Sequence, residues 1–448
     1  MQLTMIGGGG FRVPQMYRAL AGNPDGPIDR LVLTDTDERR LAVVGDVIRG
    51  LAAGTATALE VRTTTDVGAA LDGADFVFSA IRVGGTRGRV GDEEIALRHG
   101  LLGQETVGVG GLAYALRTVP VARTLAAIID ERAPGARVIN FTNPAGIITQ
   151  AMRETLGDRV IGICDTPIGL VNRVGAAIGR TVEDFDYVGV NHLGWLRSAI
   201  VGGRDVLPAL LEADAVLGRI AEAELFGHDV VASMGALPNE YLFFYWSARE
   251  AVARIRGRET RGRYLDGQQE AFYAAAAAEP WRSAELWRAA LGEREATYGG
   301  EAREDPRARR AAAEIALGGY QPVALQLMET LAGRAEPSYM ILDVANAYAG
   351  RRAIAQLPDD AVVEVPCLVD ADGVHPRAIA PVSSEMAGLM VQVKACDELV
   401  LRATAEREPA LALRAFAAHP LVDSLEVARA VLAEYCARVP GVAAAIGA

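Results

Sequence analysis

The sequence predicts an α/β fold, with an N-terminal doubly wound parallel sheet followed by a second α+β domain. Three observations carry that expectation. An apolar run begins almost at residue 1 and ends in Gly7-Gly8-Gly9-Gly10. Short apolar runs then alternate with helical stretches as far as about residue 165. Beyond that point the alternation is lost, and long helical stretches mix with isolated strand-like pieces.

Taken in order, residues 3–6 read as a strand and 14–21 as a helix, with Pro14 in the first turn, where a missing N–H costs little. Residues 30–35 form a second strand that ends on an acid, and 41–51 a helix. Strands follow at 60–65 and 75–81, a helix at 118–131, then strands at 137–142 and 159–164. This fixes an N-terminal domain over 1–165 and a second over 166–448. In the second, helices are expected at 170–178, 283–290 and 306–317, a strand at 361–365 and an exposed, charged loop at 293–306. The alanine tract at 274–278 reads as helix, and residues 400–435 as helix broken at Pro420.

Half of the 448 residues are hydrophobic and 23% are charged, an ordinary globular composition. The net charge of −12 argues against a nucleic-acid binder. Lys394 is the only lysine among 45 basic residues, so a Schiff-base mechanism has a single candidate. Four widely spaced cysteines contain no CxxC pair and suggest a reducing cytoplasm. No signal peptide and no uninterrupted apolar run of membrane-spanning length is seen, so no membrane partner is expected.

A strand, glycines and a helix start together place backbone N–H groups where a pyrophosphate can sit, making Gly7, Gly8 and Gly9 cofactor-binding candidates. Asp35 closes the next strand, 26 residues after Gly9, where a carboxylate binds ribose hydroxyls and favours NAD over NADP. The third glycine of GxGxxG is missing. Asn140-Phe-Thr-Asn143-Pro144-Ala-Gly146 makes a sharp loop at the carboxyl edge of the sheet, and Cys164-Asp165-Thr-Pro167 reaches the same edge. Asn191-His192 follows a strand-like 187–190. A thiolate and an imidazole can hold a transition metal and leave positions open for substrate oxygens. Read singly, Cys164 is a small core residue and His192 a satisfied histidine. Arg82-Val-Gly-Gly-Thr-Arg87-Gly-Arg89 and Arg261-Gly-Arg263 concentrate arginine in an acidic chain, which suits an anion such as a sugar phosphate or else a solvated face. Tyr241 lies in an aromatic stretch of core character, but a tyrosine beside a cation can serve as a general base.

These motifs, with Gly103-Gln104-Glu105-Thr106-Val-Gly108-Val-Gly110-Gly111 and Val363-Glu364-Val365-Pro366-Cys367, resemble glycoside hydrolase family 4 over nearly the whole chain. The resemblance implies a Rossmann-like, lactate/malate dehydrogenase-like fold, NAD and a divalent metal, with Mn²⁺ expected. It implies hydrolysis of a 6-phospho-glucoside by oxidation at C3, removal of the C2 proton by Tyr241, elimination at C1 and reversal. Cys164 and His192 would hold the metal and Asp165 would protonate the leaving oxygen. Arg89, Glu105, Asn143 and Arg261 are the expected substrate contacts, and Asn143 also borders the cofactor. Gly10 stands where relatives often carry Ser, and Gly350-Arg351-Arg352 replaces an Asn-x-Gly turn.

Cys164-Asp165 resembles α-acting members, whereas the 140–146 loop and His419-Pro420-Leu421 look like the β-glucosidase group. The expected substrate is a 6-phospho-β-glucoside or phosphorylated disaccharide, with the α-enzyme, an NAD-dependent 2-hydroxy-acid dehydrogenase and a non-catalytic NAD sensor as alternatives. A cytoplasmic homodimer or homotetramer is expected.

Overall fold

The computed structural model describes residues 1–53, 59–298 and 319–448. Its first half is built on β1 (Gln2–Ile6), β2 (Arg30–Thr34), β3 (Glu60–Thr64), β4 (Phe76–Ser79), β5 (Arg137–Asn140) and β6 (Val160–Gly162). All six are parallel, in the order β3-β2-β1-β4-β5-β6. Strand order reverses between β1 and β4, and ligands bind outside the strand ends at such a switch point. Helices cover both faces, so every residue of β1, β4 and β6 is buried, including the polar Gln2 and Thr4 of β1. Phe78 and Leu33 are fully buried at the sheet centre, and truncating Phe78 to Ala would cost ~3–5 kcal/mol.

The second half continues the same sheet. It supplies β7 (Asp184–Val190), β8 (Leu193–Val201), β9 (Arg204–Asp205), β10 (Leu237–Pro238), β11 (Ser338–Ala345), β14 (Val362–Asp370) and β15 (Gly373–Pro376). A separate hairpin joins β12 (Ala347–Tyr348) to β13 (Arg351–Arg352). β11 docks antiparallel on β6 through Asp343 opposite Gly162, and the sheet runs on as β14-β7-β8-β10.

The helices that frame the site are α1 (Val13–Ala21), α2 (Glu38–Ala52), α3 (Val67–Leu71), α4 (Gly85–Arg98), α5 (Gly108–Arg132), α6 (Ala145–Leu156) and α7 (Thr166–Ile178). One core packs α1 and α2 with Phe272, Trp287 and Leu327 from later helices. A second packs α4, α5 and α6 with Val400, Phe416 and Tyr435 from the C-terminal helices. Those helices are Ser384–Glu406, Pro409–Ala418 and Leu425–Arg438, with the expected break around Pro420.

One helix was not anticipated and two expectations change. The arginine-glycine run after β4 opens a helix, α4, because its acids and arginines pair inside the fold. α5 starts ten residues before the expected 118 and spans 25 residues, with Pro120 inside it. It is long and apolar enough to cross a membrane, which a search for uninterrupted apolar runs missed, but 61% of its apolar window is buried inside the protein. Residues 293–296, expected in a loop, are the last turn of the helix Ser283–Ala296. The helix expected at 306–317 lies outside the described residues.

Candidate active site

The carboxyl ends of the parallel strands open into one cleft of about 1390 Å³. Gly7, Gly9, Asp35, Arg89, Glu105, Asn143, Cys164, Asp165, His192, Tyr241 and Arg261 all line it. Gly8 does not: it faces β2, where an added Cβ would come within 2.8 Å of Leu33 and Thr34. Gly7 adopts a left-handed φ of +89°, and its missing Cβ leaves room for the carbonyl of Ala80 on the neighbouring strand. The loop is thus pinned against β2 and β4 by close backbone approach. Gly7 N and Gly8 N both donate to Thr34 O, at 2.9 and 2.8 Å.

Asp35 is held beside that loop. Its Oδ2 accepts from Gly9 N at 2.9 Å and its Oδ1 from Asp37 N at 3.0 Å. Tyr273 donates to Gly9 O at 2.7 Å, and Arg40 sits over the Tyr273 ring.

Opposite lies a group with unused polar atoms. His192 has a left-handed φ of 64° and is 6% exposed. Its Nδ1 has no hydrogen-bond partner among the described residues, and neither has Asn143 Oδ1. Burial pulls the imidazole pKa down to about 4, against the pull of Glu105, so the ring is neutral and able to bind a metal. Cys164 is buried next to Asp165, the residue just before α7. Burial first, then the charges of Glu364 and Asp165, push its thiol well up, a balance a bound cation would reverse. No group of three or more His, Cys, Asp or Glu that could hold a metal exists among the described residues. A thiol and a neutral imidazole on one cleft therefore fit a metal with two protein ligands and open positions.

The Tyr241 ring stacks on His192, with centroids 3.9 Å apart and planes 9° from parallel. Burial first, then Tyr298 and Glu240, hold its phenol well above the usual range. A base role therefore requires a cation close by.

The cationic wall comes from α4 and the helices that follow residue 260. Arg89 pairs with Glu93 and Glu105, each at 2.7 Å, and Arg82 pairs with Glu105 at 2.5 Å. Burial opposes the Glu105 charge, but Arg82 and Arg89 outweigh it and hold the carboxyl at about 2. Below them Arg117 grips Asp92 with two bonds of 2.7 Å, both side chains fully buried, and donates to Val83 O. Arg261 donates to Thr297 Oγ1 at 2.9 Å and to Arg294 O at 2.9 Å, so it also caps a helix end. Sequence reasoning missed Arg12 and Arg294, which line the same cleft. Burial, then Arg12, Arg89, Arg261 and Arg82, press the Arg294 guanidinium well below its usual range. That crowding is the signature of an anion site. The continuation of the Trp287–Leu291 spacing by one more turn would have revealed the residue.

The strand order and glycine loop define an α/β protein of the dinucleotide-binding class. The model of the family 4 glycosyl hydrolases matches residues 2–179, and that of their C-terminal domain residues 187–422. The chain belongs to glycosyl hydrolase family 4. It is 29% identical to the 6-phospho-beta-glucosidase of Thermotoga maritima over 97% of each chain. A structure of that enzyme with NAD and glucose-6-phosphate has a TM-score of 0.82 at 28% identity, covering 98% of this chain and 97% of that one. A 6-phospho-alpha-glucosidase from gut microorganisms, in complex with NAD and Mn²⁺, has a TM-score of 0.82 at 25% identity and 98% coverage of both chains. Malate dehydrogenase from Salinibacter ruber, 14% identical with a TM-score of 0.51 over 91% of this chain and 99% of that one, shares the fold alone.

Proposed function

We propose that the protein hydrolyses 6-phospho-β-glucosides to glucose 6-phosphate and an aglycone, using NAD and a divalent metal such as Mn²⁺. The observation that carries this reading is the meeting, in one cleft, of the glycine loop, the Cys164/His192 pair, Tyr241 and an arginine-rich wall. In this reading Gly7, Gly9, Asp35 and Asn143 border the dinucleotide, and Cys164 with His192 would hold the metal. When bound, the two groups supply a hydride acceptor and donor for C3 and a Lewis acid for the C2 and C3 oxygens.

The protein's own residues do the rest. The Arg12, Arg89, Arg261 and Arg294 cluster binds the 6-phosphate and so fixes the ring in the cleft. Glu105 holds Arg82 and Arg89 in place and faces the substrate. Tyr241, whose phenol a cation held by Cys164 and His192 would make more acidic, takes the C2 proton of the sugar oxidised at C3. Asp165 delivers a proton to the departing oxygen at C1; water then adds at C1, a proton returns to C2 from Tyr241, and reduction at C3 completes the hydrolysis. Residues 1–165 serve as the NAD-binding domain and 166–448 as the metal, substrate and oligomerisation domain of a cytoplasmic homodimer or homotetramer.

The β preference is supported by the 140–146 loop and His419-Pro420-Leu421, while Cys164-Asp165 favours the α-enzyme. A panel of 6-phospho-α- and β-glycosides, assayed with Mn²⁺ and NAD⁺ in D₂O, decides. The β-glycosides should release glucose 6-phosphate labelled at C2, without stoichiometric NADH. Turnover of α-glycosides alone would assign the α-enzyme, and NADH formed in step with product would assign a dehydrogenase.

A further inference from the structure

Three sequence motifs meet beneath the site without a role in the chemistry above: Tyr187 on β7, Asn239 after β10 and Glu364 on β14. Tyr187 and Asn239 are fully buried and Glu364 is 1% exposed. Tyr241 N donates to Asn239 Oδ1 at 2.9 Å. That contact fixes the orientation of the amide, so Asn239 Nδ2 must donate to Tyr187 Oη, 3.2 Å away. Tyr187 then has its own proton free for Glu364 Oε2, at 3.1 Å. Every donor in the chain has one direction, from the Tyr241 backbone down into the sheet.

The sheet is shaped to admit this chain. The β7–β8 register shifts between Asp186 and Tyr187, a bulge that re-aims the side chain. Gly194 on β8, which pairs with Gly189 on β7, leaves the space for the hydroxyl: a Cβ there would lie 2.3 Å from Tyr187 Oη. Asn239 N donates to Gly194 O at 2.8 Å, tying the same glycine to the loop that carries Tyr241. Glu364 sits opposite Gly189 on one side and Asp343 on the other, deep in the antiparallel half.

We infer that Tyr187, Asn239 and Glu364 are positioning residues, which hold the Tyr241 backbone so that its phenol stays stacked on His192 and aimed at the substrate. The inference rests on the reading of Tyr241 as the base. Burial, then the charge of Asp343, push the Glu364 carboxyl well up; a glutamine there keeps an acceptor oxygen for the Tyr187 hydroxyl and a methionine does not. A small displacement of a reacting group costs up to about 100-fold in rate.

The test follows C2 chemistry in the holoenzyme with Mn²⁺, NAD⁺ and a 6-phospho-glucoside. Tyr187→Phe removes one oxygen and keeps the ring. It should lower kcat and the rate of C2 deuterium incorporation about 10- to 100-fold and raise the isotope effect for C2-deuterated substrate. KM, NAD⁺ affinity and Tm should stay near wild type. The Glu364→Gln and Glu364→Met pair asks the same question without touching the tyrosine: exchange should survive in the first and fall in the second. Wild-type exchange in Tyr187→Phe, a rate loss matched by loss of Tm and NAD⁺ binding, or equal exchange in the two Glu364 variants would overturn the inference. Tyr241→Phe is the control. Loss of exchange there with none in Tyr187→Phe overturns only the positioning role, whereas full exchange in Tyr241→Phe overturns the base assignment and this inference together.

Discussion

The two walls of the cleft are built on opposite terms. On the nucleotide wall almost every polar group is already satisfied: Gly7 and Gly8 donate to Thr34 O, Gly9 to Asp35, and Tyr273 closes on Gly9 O. On the facing wall His192 Nδ1 and Asn143 Oδ1 are buried without partners among the described residues. A buried polar atom left unpaired costs ~1–3 kcal/mol, so these are the atoms a bound ion or substrate would satisfy. The first wall recognises by shape and the second by unmet chemistry. Changes to the second should therefore affect turnover most.

The largest effect should come from removing the ion expected on the second wall. Chelation should abolish hydrolysis and added Mn²⁺ restore it, because two side chains leave most of the coordination sphere exchangeable. Cys164→Ser should lose bound metal by mass spectrometry and lose turnover, with far-UV circular dichroism unchanged. Full activity in a metal-free Cys164→Ser protein would mean the two walls do not differ in this way. Next in size is Tyr241→Phe, expected to lower kcat about 10²- to 10⁴-fold with NAD⁺ affinity intact; a parallel fall in Tm would instead mark Tyr241 as a packing residue.

The two walls were also unequally legible. The glycine loop and β1 to β6 could be read because each is a local pattern: an apolar run, a turn and a helix start within thirty residues. Asp35 followed from the same local rule. The second wall depends on pairings far apart in sequence, such as Asp343 opposite Gly162 and Glu364 opposite Gly189. No short window contains those pairs. Cys164, His192 and Tyr241 each look like a core residue alone; residue chemistry left a metal pair and a tyrosine base open, and the family resemblance gave them their expected roles. α4 was hidden for a different reason. Its buried Asp92 and Glu93 are neutralised by Arg117 and Arg89, so its inward face lacks the apolar periodicity by which helices are found. Arg294 was lost to a charged stretch that resembled a loop.

Two buried imidazoles sharpen the contrast within the second half. His192 and His419 are both held at about 4 by burial. His419 Nδ1 accepts from Leu421 N at 3.2 Å, whereas His192 Nδ1 has no partner among the described residues. His419 should therefore be structural. Its folded pKa lies below the unfolded value of about 6.5, so its contribution is complete above pH 6.5 and is lost as pH falls toward 4. Urea denaturation at pH 7 and pH 4.5 should show the wild type losing about 2–3 kcal/mol more than His419→Gln over that interval, with neutral-pH activity alike. Parallel losses would mean that His419 is not buried as a neutral ring.

The smallest effect belongs to the self-satisfied wall. Asp35 makes two contacts of its own, with Gly9 N and Asp37 N, and is expected to bind the ribose as well. Asp35→Ala should weaken NAD⁺ binding by ~1.5–3 kcal/mol, or about 10- to 100-fold in Kd, and reduce discrimination against NADP⁺. The loop itself should persist, because Gly7 and Gly8 remain tied to Thr34 and packed against β2 and β4. Calorimetric Kd values for both nucleotides, set beside the Tm of the protein alone, separate the roles. A lower Tm with an unchanged Kd would make Asp35 an anchor of the loop rather than a reader of the ribose. A loss of NAD⁺ binding beyond about 100-fold would show that the loop collapses without it, and the nucleotide wall would then be less preformed than its hydrogen bonds suggest.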